Sequence, residues 1–479
     1  MQQPETTKTF RISSDLARRI QDELGENVYL CYQCVKCTSG CPLAEFMDWQ
    51  PNQIMRALQL GQEDIAFEAQ TPWLCASCQT CTTRCPQGLD ITAIMEFLTR
   101  EALQRGYKPQ IPQVKIFNEA FLREVRLWGR SYELGLMAEM KLRTRDLFSD
   151  LDLAARVVAK NKLGYFPSPA RPRLAKEKPA QPVRTRAGAT NILGYYPGCS
   201  LHSTAKEYNS SAHAVCEVLG LELIEPSGWV CCGSSAAHRA DPEQALRLPL
   251  INLALVEQNG LDEVAMPCAA CFNRHKAVLH ELRSDDELRA RLSDELGYEY
   301  QNSVRVSSLS QAILEHSGVE KVAAAVKKPL KELRLVCYYG CLLTRPPEVT
   351  EAAHPENPTD LDELMTALGA KVLDWSYKTV CCGAAHSLTR PDIVLKLSGD
   401  LIRHAQEAGA EAIVVACPLC HTNLDARQFQ MKLDAPMPVL YFTQLMAVAF
   451  GLPEKAAALH KNLVDPRPVL SAKGLIGPL

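Results

Sequence analysis

Several features common in proteins are scarce or missing in this chain of 479 residues, and each absence removes a class of function. No apolar run is long enough to span a bilayer. The longest, VLYFTQLMAVAFGL, is short and interrupted by Thr443 and Gln444, so a soluble, cytoplasmic protein is expected. The opening MQQPETTKTFRISS has no apolar signal core, and secretion is not expected. Neither sign of charge dominates. Lys plus Arg total 52 and Asp plus Glu 55, a net −3 that calls for neither nucleic acid nor an anionic membrane. Neither a Gly-x-Gly-x-x-Gly motif nor a phosphate loop occurs, so any flavin or nicotinamide must sit on a partner. The length suggests about three domains.

Cysteine is what the chain has in excess, with 20. In a large, non-secreted chain, clustered Cys-x-x-Cys spacings point to metal, not to a disulfide framework. LCYQCVKCTSGCP places Cys31, Cys34, Cys37 and Cys41 before Pro42, and LCASCQTCTTRCP places Cys75, Cys78, Cys81 and Cys85 before Pro86. This is two-cluster ferredoxin spacing, in which the fourth cysteine of each run crosses to the other cluster. Cys31, Cys34, Cys37 and Cys85 are therefore assigned to one cubane [4Fe–4S] cluster, and Cys75, Cys78, Cys81 and Cys41 to a second. Structural zinc would show paired Cys-x-x-Cys without the proline-terminated fourth member. Ile54, Met55 and Leu58, and then Ile91, Ile94, Met95 and Leu98, recur at helical spacing, which makes this a helical ferredoxin domain. Amphipathic helices continue over 113–160. The basic residues among them (Arg123, Arg126, Arg130, Lys141, Arg143, Arg145) suggest a solvated face, with docking of an acidic partner as the alternative. Ser168–Ala189, with four prolines and six Lys or Arg, is expected to be an extended tether.

The second half carries one cysteine pattern twice. Cys199, Cys231-Cys232-Gly233, Cys268 and Cys271 are echoed by Cys341, Cys381-Cys382-Gly383, Cys417 and Cys420. The gaps are 31 and 35 residues in the first copy and 39 and 34 in the second. Each set offers five thiolates where a cubane takes four. Around them, apolar strands alternate with helices in matching order, which predicts two α/β units with parallel sheets. The cysteines fall at strand ends, the edge where ligands collect in such sheets. Adjacent cysteines can face one centre only if the chain turns sharply, and Gly233 and Gly383 permit that turn. Two adjacent thiolates on one centre suggest that one of them bridges two irons. Expected domains are 1–165 (helical ferredoxin), 166–190 (linker), 191–330 and 331–460 (the two repeats) and 461–479 (tail).

These motifs resemble a fusion of the C-type and B-type subunits of heterodisulfide reductase, the arrangement of the fused D-type subunit. The two proline-ended runs and YELGLM, KLRTRDLF and KNKLGYFP resemble the C-type component. GYYPGC, VCCGSSAA, PCAAC, CYYGC, VCCGAAH and CPLCHTNLD resemble the B-type component. The resemblance implies a noncubane [4Fe–4S] cluster in each five-cysteine set: Cys199, Cys231, Cys232, Cys268 and Cys271 for one, Cys341, Cys381, Cys382, Cys417 and Cys420 for the other. A disulfide would be cleaved between them, with Cys231, Cys232, Cys381 and Cys382 central to catalysis. Electrons would pass from the two cubanes to the paired noncubane centres. The implied partners are an A-type flavoprotein subunit with its own electron donor, such as a hydrogenase or formate dehydrogenase, or a membrane cytochrome b that would hold the protein at the inner face of the membrane. Cys216, on an apolar helical stripe, and Cys337, in a strand, are left over, with Cys337 the possible substitute for Cys341. His386 and His421 are candidate proton shuttles beside the motifs, although a histidine so placed is more often structural; His238 and His202 are weaker candidates. The rival function is a pure electron-transfer subunit of a flavin dehydrogenase (glycerol-3-phosphate, glycolate or lactate type) feeding quinone.

Overall fold

A computed structural model describes residues 15–174 and 191–478. Contacts divide the chain into two units, Met1–Lys115 and Ile116–Leu479.

Within the first unit the described residues form helices and turns. Ile54, Met55 and Leu58 of the helix Pro51–Gln59 pack with Ile91, Ile94, Met95 and Leu98 of the helix Ile91–Gln104, so the expected apolar spacing is the buried stripe. Asp90 starts the latter helix by accepting the Ala93 N–H at 2.9 Å.

The second unit contains one sheet built twice. β1 (Asn191–Tyr195), β2 (Leu221–Ile224), β3 (Glu263–Met266) and β4 (Arg305–Ser308) form an all-parallel sheet in the order β2-β1-β3-β4. β5 (Arg334–Tyr338), β6 (Lys371–Val372), β7 (Ala412–Val415) and β8 (Val439–Tyr441) repeat it as β6-β5-β7-β8. Every residue of β7 is buried, as expected of a parallel strand covered on both faces. Helix starts are marked by chemistry legible in the chain. Asp241 caps Pro242–Gln258 by accepting the Gln244 N–H at 3.1 Å. Ser308 and Gln311 cap Leu309–Ala324 reciprocally, at 3.3 and 3.1 Å.

The repeats pack in a pseudo-two-fold manner. The helix Lys206–Val218 of the first lies against Phe442–Ala449 of the second, and Leu309–Ala324 of the first against Asp360–Ala367 of the second. At this seam Tyr208 stacks on Tyr441 with ring centroids 4.1 Å apart and donates its hydroxyl hydrogen to the Ala416 carbonyl at 3.0 Å.

Sequence reasoning ended the first domain at residue 165, but residues 116–165 group with the second unit. Phe121 and Val125 of the helix Pro112–Trp128, and Leu136 and Met140 of Glu133–Thr144, are buried in the core of the repeats. Three of the six basic side chains of this stretch serve local ties: Arg123 pairs with Glu139, Arg143 with Glu119 and Glu139, and Lys141 bonds the Ser149 carbonyl. The segment expected as a tail is packed as well, with Asn462 donating to the Val439 carbonyl at 2.7 Å and Leu470 buried. Of the expected tether, Ala170 is buried and its N–H bonds the Trp128 carbonyl at 2.7 Å, while residues 175–190 lie outside the described residues.

Candidate metal centres

In the first unit the two cysteine runs fold alike. Gln33 and Val35 have φ of 62° and 64°, and their counterparts Ser77 and Gln79 have 51° and 61°. Left-handed residues between the cysteines reverse the chain at each step, which turns successive sulfurs to one side. The short helices Lys36–Ser39 and Thr80–Thr83 then pack on each other. Cys41, Cys75, Cys78 and Cys81 line one cavity backed by Ile91 and Met95. Cys37 lies near Cys31 and Cys34, and Tyr32 lies beside both Cys34 and Cys85. Each fourth cysteine thus sits with the other run. The hydroxyls of Thr80 and Thr92 lie 3.4 and 3.6 Å from the sulfurs of Cys78 and Cys81.

In the second unit each five-cysteine set gathers at the carboxyl edge of its sheet. Cys199 and Cys268 follow β1 and β3, the neighbouring central strands where the strand order reverses, and Cys341 and Cys417 follow β5 and β7. Cys268 and Cys417 directly precede helices, Ala269–Ser284 and Pro418–His421. Gly233 and Gly383 have φ of 85° and 82° and make the expected sharp turn. Cys232 Sγ lies 3.4 Å from Cys271 Sγ, and Cys382 Sγ 3.6 Å from Cys420 Sγ. Cys231 contacts Cys199 and Cys232. The two sets also meet: Cys268 and Cys417 are within hydrogen-bonding contact, and the Ala269 N–H reaches Cys417. Asn273 reinforces the junction by donating to the Leu342 and Arg345 carbonyls at 3.3 and 2.8 Å.

The donor sets fit polynuclear iron–sulfur groups. Burial pushes the Cys37 thiol up to about 11 and holds Cys81 well above its usual range. Within the five-cysteine sets, Cys271 and Cys420 are held up by sharing protons with neighbouring sulfurs and by burial. So many thiolates cannot ionise together in an apolar interior without a cation to offset their charge. The glycine of each Gly-Cys step keeps a space beside the sulfurs. A Cβ on Gly198 would stand 3.0 Å from Cys271 Sγ, and one on Gly340 would stand 3.0 Å from Cys420 Sγ. Among the described residues, no three His, Cys, Asp or Glu side chains converge as a single-ion site.

The histidines have other bonds. His421 is buried, its ring nitrogen is 3.0 Å from the Val439 carbonyl, and its ring stacks on Tyr441 at 4.2 Å; burial holds it well below its usual pKa and so neutral. His386 is fully buried with Nδ1 3.0 Å from Thr389 Oγ1. His202 pairs with Glu225 at 3.2 Å, and His238 lies on the helix Ser234–Ala240. Cys216 is buried with its thiol pushed up to about 12 by desolvation, and Cys337 is buried in β5.

Three features escaped the sequence reading. Tyr196 and Tyr338, each three residues before its Gly-Cys cysteine, donate to the Val230 and Val380 carbonyls at 2.7 and 2.6 Å and so tie that loop to the Cys-Cys turn. The repeated Tyr-Tyr was the available signal. The Gly129 carbonyl accepts the Cys231 N–H at 2.8 Å, and the Arg130 guanidinium lies 3.6 Å over the Trp229 ring. Asn423 lies against Cys382.

Comparison with known proteins gives matches in both units. The cysteine-rich domain family (CCG) matches residues 193–274 and 335–425, and the 4Fe-4S dicluster domain family matches residues 30–90. The chain is 34% identical over 280 residues to the 8-methylmenaquinol:fumarate reductase membrane anchor subunit of Wolinella succinogenes, covering 57% of this chain and 97% of that one. It is 26% identical over 285 residues to the B-type subunit of the ferredoxin/F(420)H(2)-dependent CoB-CoM heterodisulfide reductase of Methanosarcina acetivorans, covering 57% and 94%. Over 81 residues it is 37% identical to the C-type iron-sulfur subunit of the CoB–CoM heterodisulfide reductase of Methanopyrus kandleri, covering 17% and 42%. Among the described residues no helix is long and apolar enough to cross a membrane.

Proposed function

Because this chain belongs to the family of iron–sulfur electron-transfer proteins built on paired cysteine-rich CCG domains, with a dicluster domain that implies two [4Fe–4S] clusters, we propose that it is a heterodisulfide-reductase-like subunit that reduces a disulfide, or oxidises thiols in reverse. The observation that carries this reading is the contact of Cys268 with Cys417, which sets two complete five-sulfur sets face to face. A pure electron carrier has no need for a matched pair. Cys199, Cys231, Cys232, Cys268 and Cys271 would hold one noncubane cluster, and Cys341, Cys381, Cys382, Cys417 and Cys420 the other. When bound, such clusters would supply the single-electron steps that a two-electron disulfide requires.

The chain's own residues prepare the place. Tyr196 and Tyr338 fix each Cys-Cys turn against its Gly-Cys loop. Eight of the ten cysteines are buried, which excludes water, while Cys199 and Cys341 are the half-buried pair through which each set is reached from outside. The partners that fit are a flavin-bearing A-type subunit with its electron donor, or a membrane cytochrome b. Similarity to a fumarate reductase anchor subunit favours a second reading, in which the chain passes electrons between a quinol and a flavoprotein.

Stoichiometric cleavage separates the two. The anaerobically reduced, isolated chain should convert an added small-molecule disulfide to two thiols, as measured by thiol titration while the clusters reoxidise. Each disulfide takes two electrons and two protons, so four one-electron clusters allow up to about two equivalents. Reoxidation by a quinone analogue with no thiol released would overturn the disulfide reading and support the second.

A further inference from the structure

The two cysteine sets are duplicated in spacing, but the residues around them are not. In the first repeat the helix after Cys268, Ala269–Ser284, is α-helical throughout. In the second, the helix after Cys417 gives way to a π-helical turn over Thr422–Ala426. Such insertions re-aim side chains and concentrate at functional sites. This one carries Asn423, buried at 1% exposure, whose Nδ2 lies 3.7 Å from Cys382 Sγ and 3.5 Å from the Cys382 carbonyl. Both of those atoms are acceptors, so the amide must present its N–H₂ to them; flipped, its oxygen would face a carbonyl and a sulfur. Ser387 Oγ lies 2.9 Å from Asn423 Oδ1 and holds the far side of the amide.

Both sets share a backbone donor, since Cys232 accepts from Ser234 N–H and Cys382 from Ala384 N–H. Asn423 is an addition to that common plan, and the Ala269 N–H that crosses the seam to Cys417 is another donor to the second set. The buried imidazole near the first set is engaged elsewhere. His275 has Nδ1 2.7 Å from the Cys271 carbonyl, to which it donates, and Nε2 3.2 Å from Asn252 Nδ2, from which it accepts. Its one hydrogen is spent on a carbonyl and none is left for sulfur.

We propose that the two centres are unequal by construction, and that Asn423 is the positioning residue that gives the second set the more positive reduction potential. The inference rests on the reading that each set holds an iron–sulfur cluster. Reduction adds negative charge to the sulfurs, and a hydrogen-bond donor aimed at one of them stabilises the reduced form more than the oxidised form. An electron arriving at the pair therefore settles first on the Cys341 side, leaving the Cys199 side as the poorer acceptor and the stronger reductant.

The test is a redox titration followed by electron paramagnetic resonance on the full chain, assembled anaerobically, with iron counted in the same samples. The wild-type chain should carry about sixteen irons and show two distinct midpoints from the five-cysteine sets. Asn423→Leu should keep its iron and lower only the more positive midpoint, by about tenfold in the one-electron equilibrium, or about 59 mV. Ser387→Ala, which frees the far side of the amide and also removes the 2.9 Å bond from Ser387 to the Ala384 carbonyl, should move the same midpoint in the same direction by less. Two coincident wild-type midpoints, no shift in either variant, or an equal shift of both midpoints would overturn the inference and leave the cluster reading intact. If Asn423→Leu sheds iron and Ser387→Ala moves nothing, Asn423 is a structural support only and the inference fails. A wild-type chain that binds only about eight irons would overturn the cluster reading itself.

Discussion

Gly198 and Gly340 show how little room the sulfur sets leave. Both have positive φ, 69° and 72°, and both stand where a methyl group would press on a sulfur of the same set. Gly198→Ala combines roughly 1–2 kcal/mol of left-handed strain with displacement of Cys271. Iron analysis of that variant should show a loss of about four irons, the content of one cluster, while the proline-ended runs keep theirs. At this scale the sequence was a good guide to the sulfurs, because ligand spacing is a geometric requirement that cysteine alone can meet. It was a poor guide to what orients them. Nothing about Val35 marks it as a residue held at φ 64°, since that conformation is imposed by the cysteines on either side. His421 was noticed for its place in the chain, yet its neighbour in space is the Val439 carbonyl, which no local pattern reveals.

Elements were legible wherever an apolar run met a cap or a turn. The expected alternation of apolar strands and helices in matching order reappears as β1–β8 and the helices between them, Pro242–Gln258 and Pro391–Glu407 among them. The helix Asp286–Leu296 and the π-helical turn were not foreseen; the first has a mostly charged sequence and the second packs on the helix Pro391–Glu407, distant from it along the chain. That same turn carries Asp425, buried, whose carboxylate accepts the Leu463 and Val464 N–H groups at 2.7 and 2.9 Å and so anchors the C-terminal segment. Burial pushes its carboxyl up to about 6. In an unfolded chain it titrates near about 3.9, so between those values the folded protein binds more protons. Its contribution to stability is therefore full below about pH 4 and declines as pH rises through 6, by up to about 3 kcal/mol. Asp425→Asn should remove that slope, read as the difference between urea midpoints at pH 4.5 and 7, while costing one hydrogen bond throughout.

At the scale of the whole molecule the duplication could be read directly from the cysteines, and the identical strand orders β2-β1-β3-β4 and β6-β5-β7-β8 follow from it. The meeting of the repeats could not be read, because Tyr208 and Tyr441, or Ser211 and Thr443 at 2.6 Å, are 232 or more residues apart and match no motif. The placement of residues 116–165 was misjudged for the same reason: amphipathic helices announce a buried face without naming what covers it.

The seam has an evolutionary consequence. Its two helix contacts are related by exchange, each repeat offering its partner the surface it receives. That is how an isologous dimer is made, so a single ancestral repeat could have closed its sulfur site by pairing with itself before the genes fused. Expressed as two polypeptides severed in the exposed turn at Lys328, the halves should therefore find each other and co-purify as a one-to-one complex. Fusion then freed the two copies to diverge, and only a joined pair can assign one member to receive and the other to give.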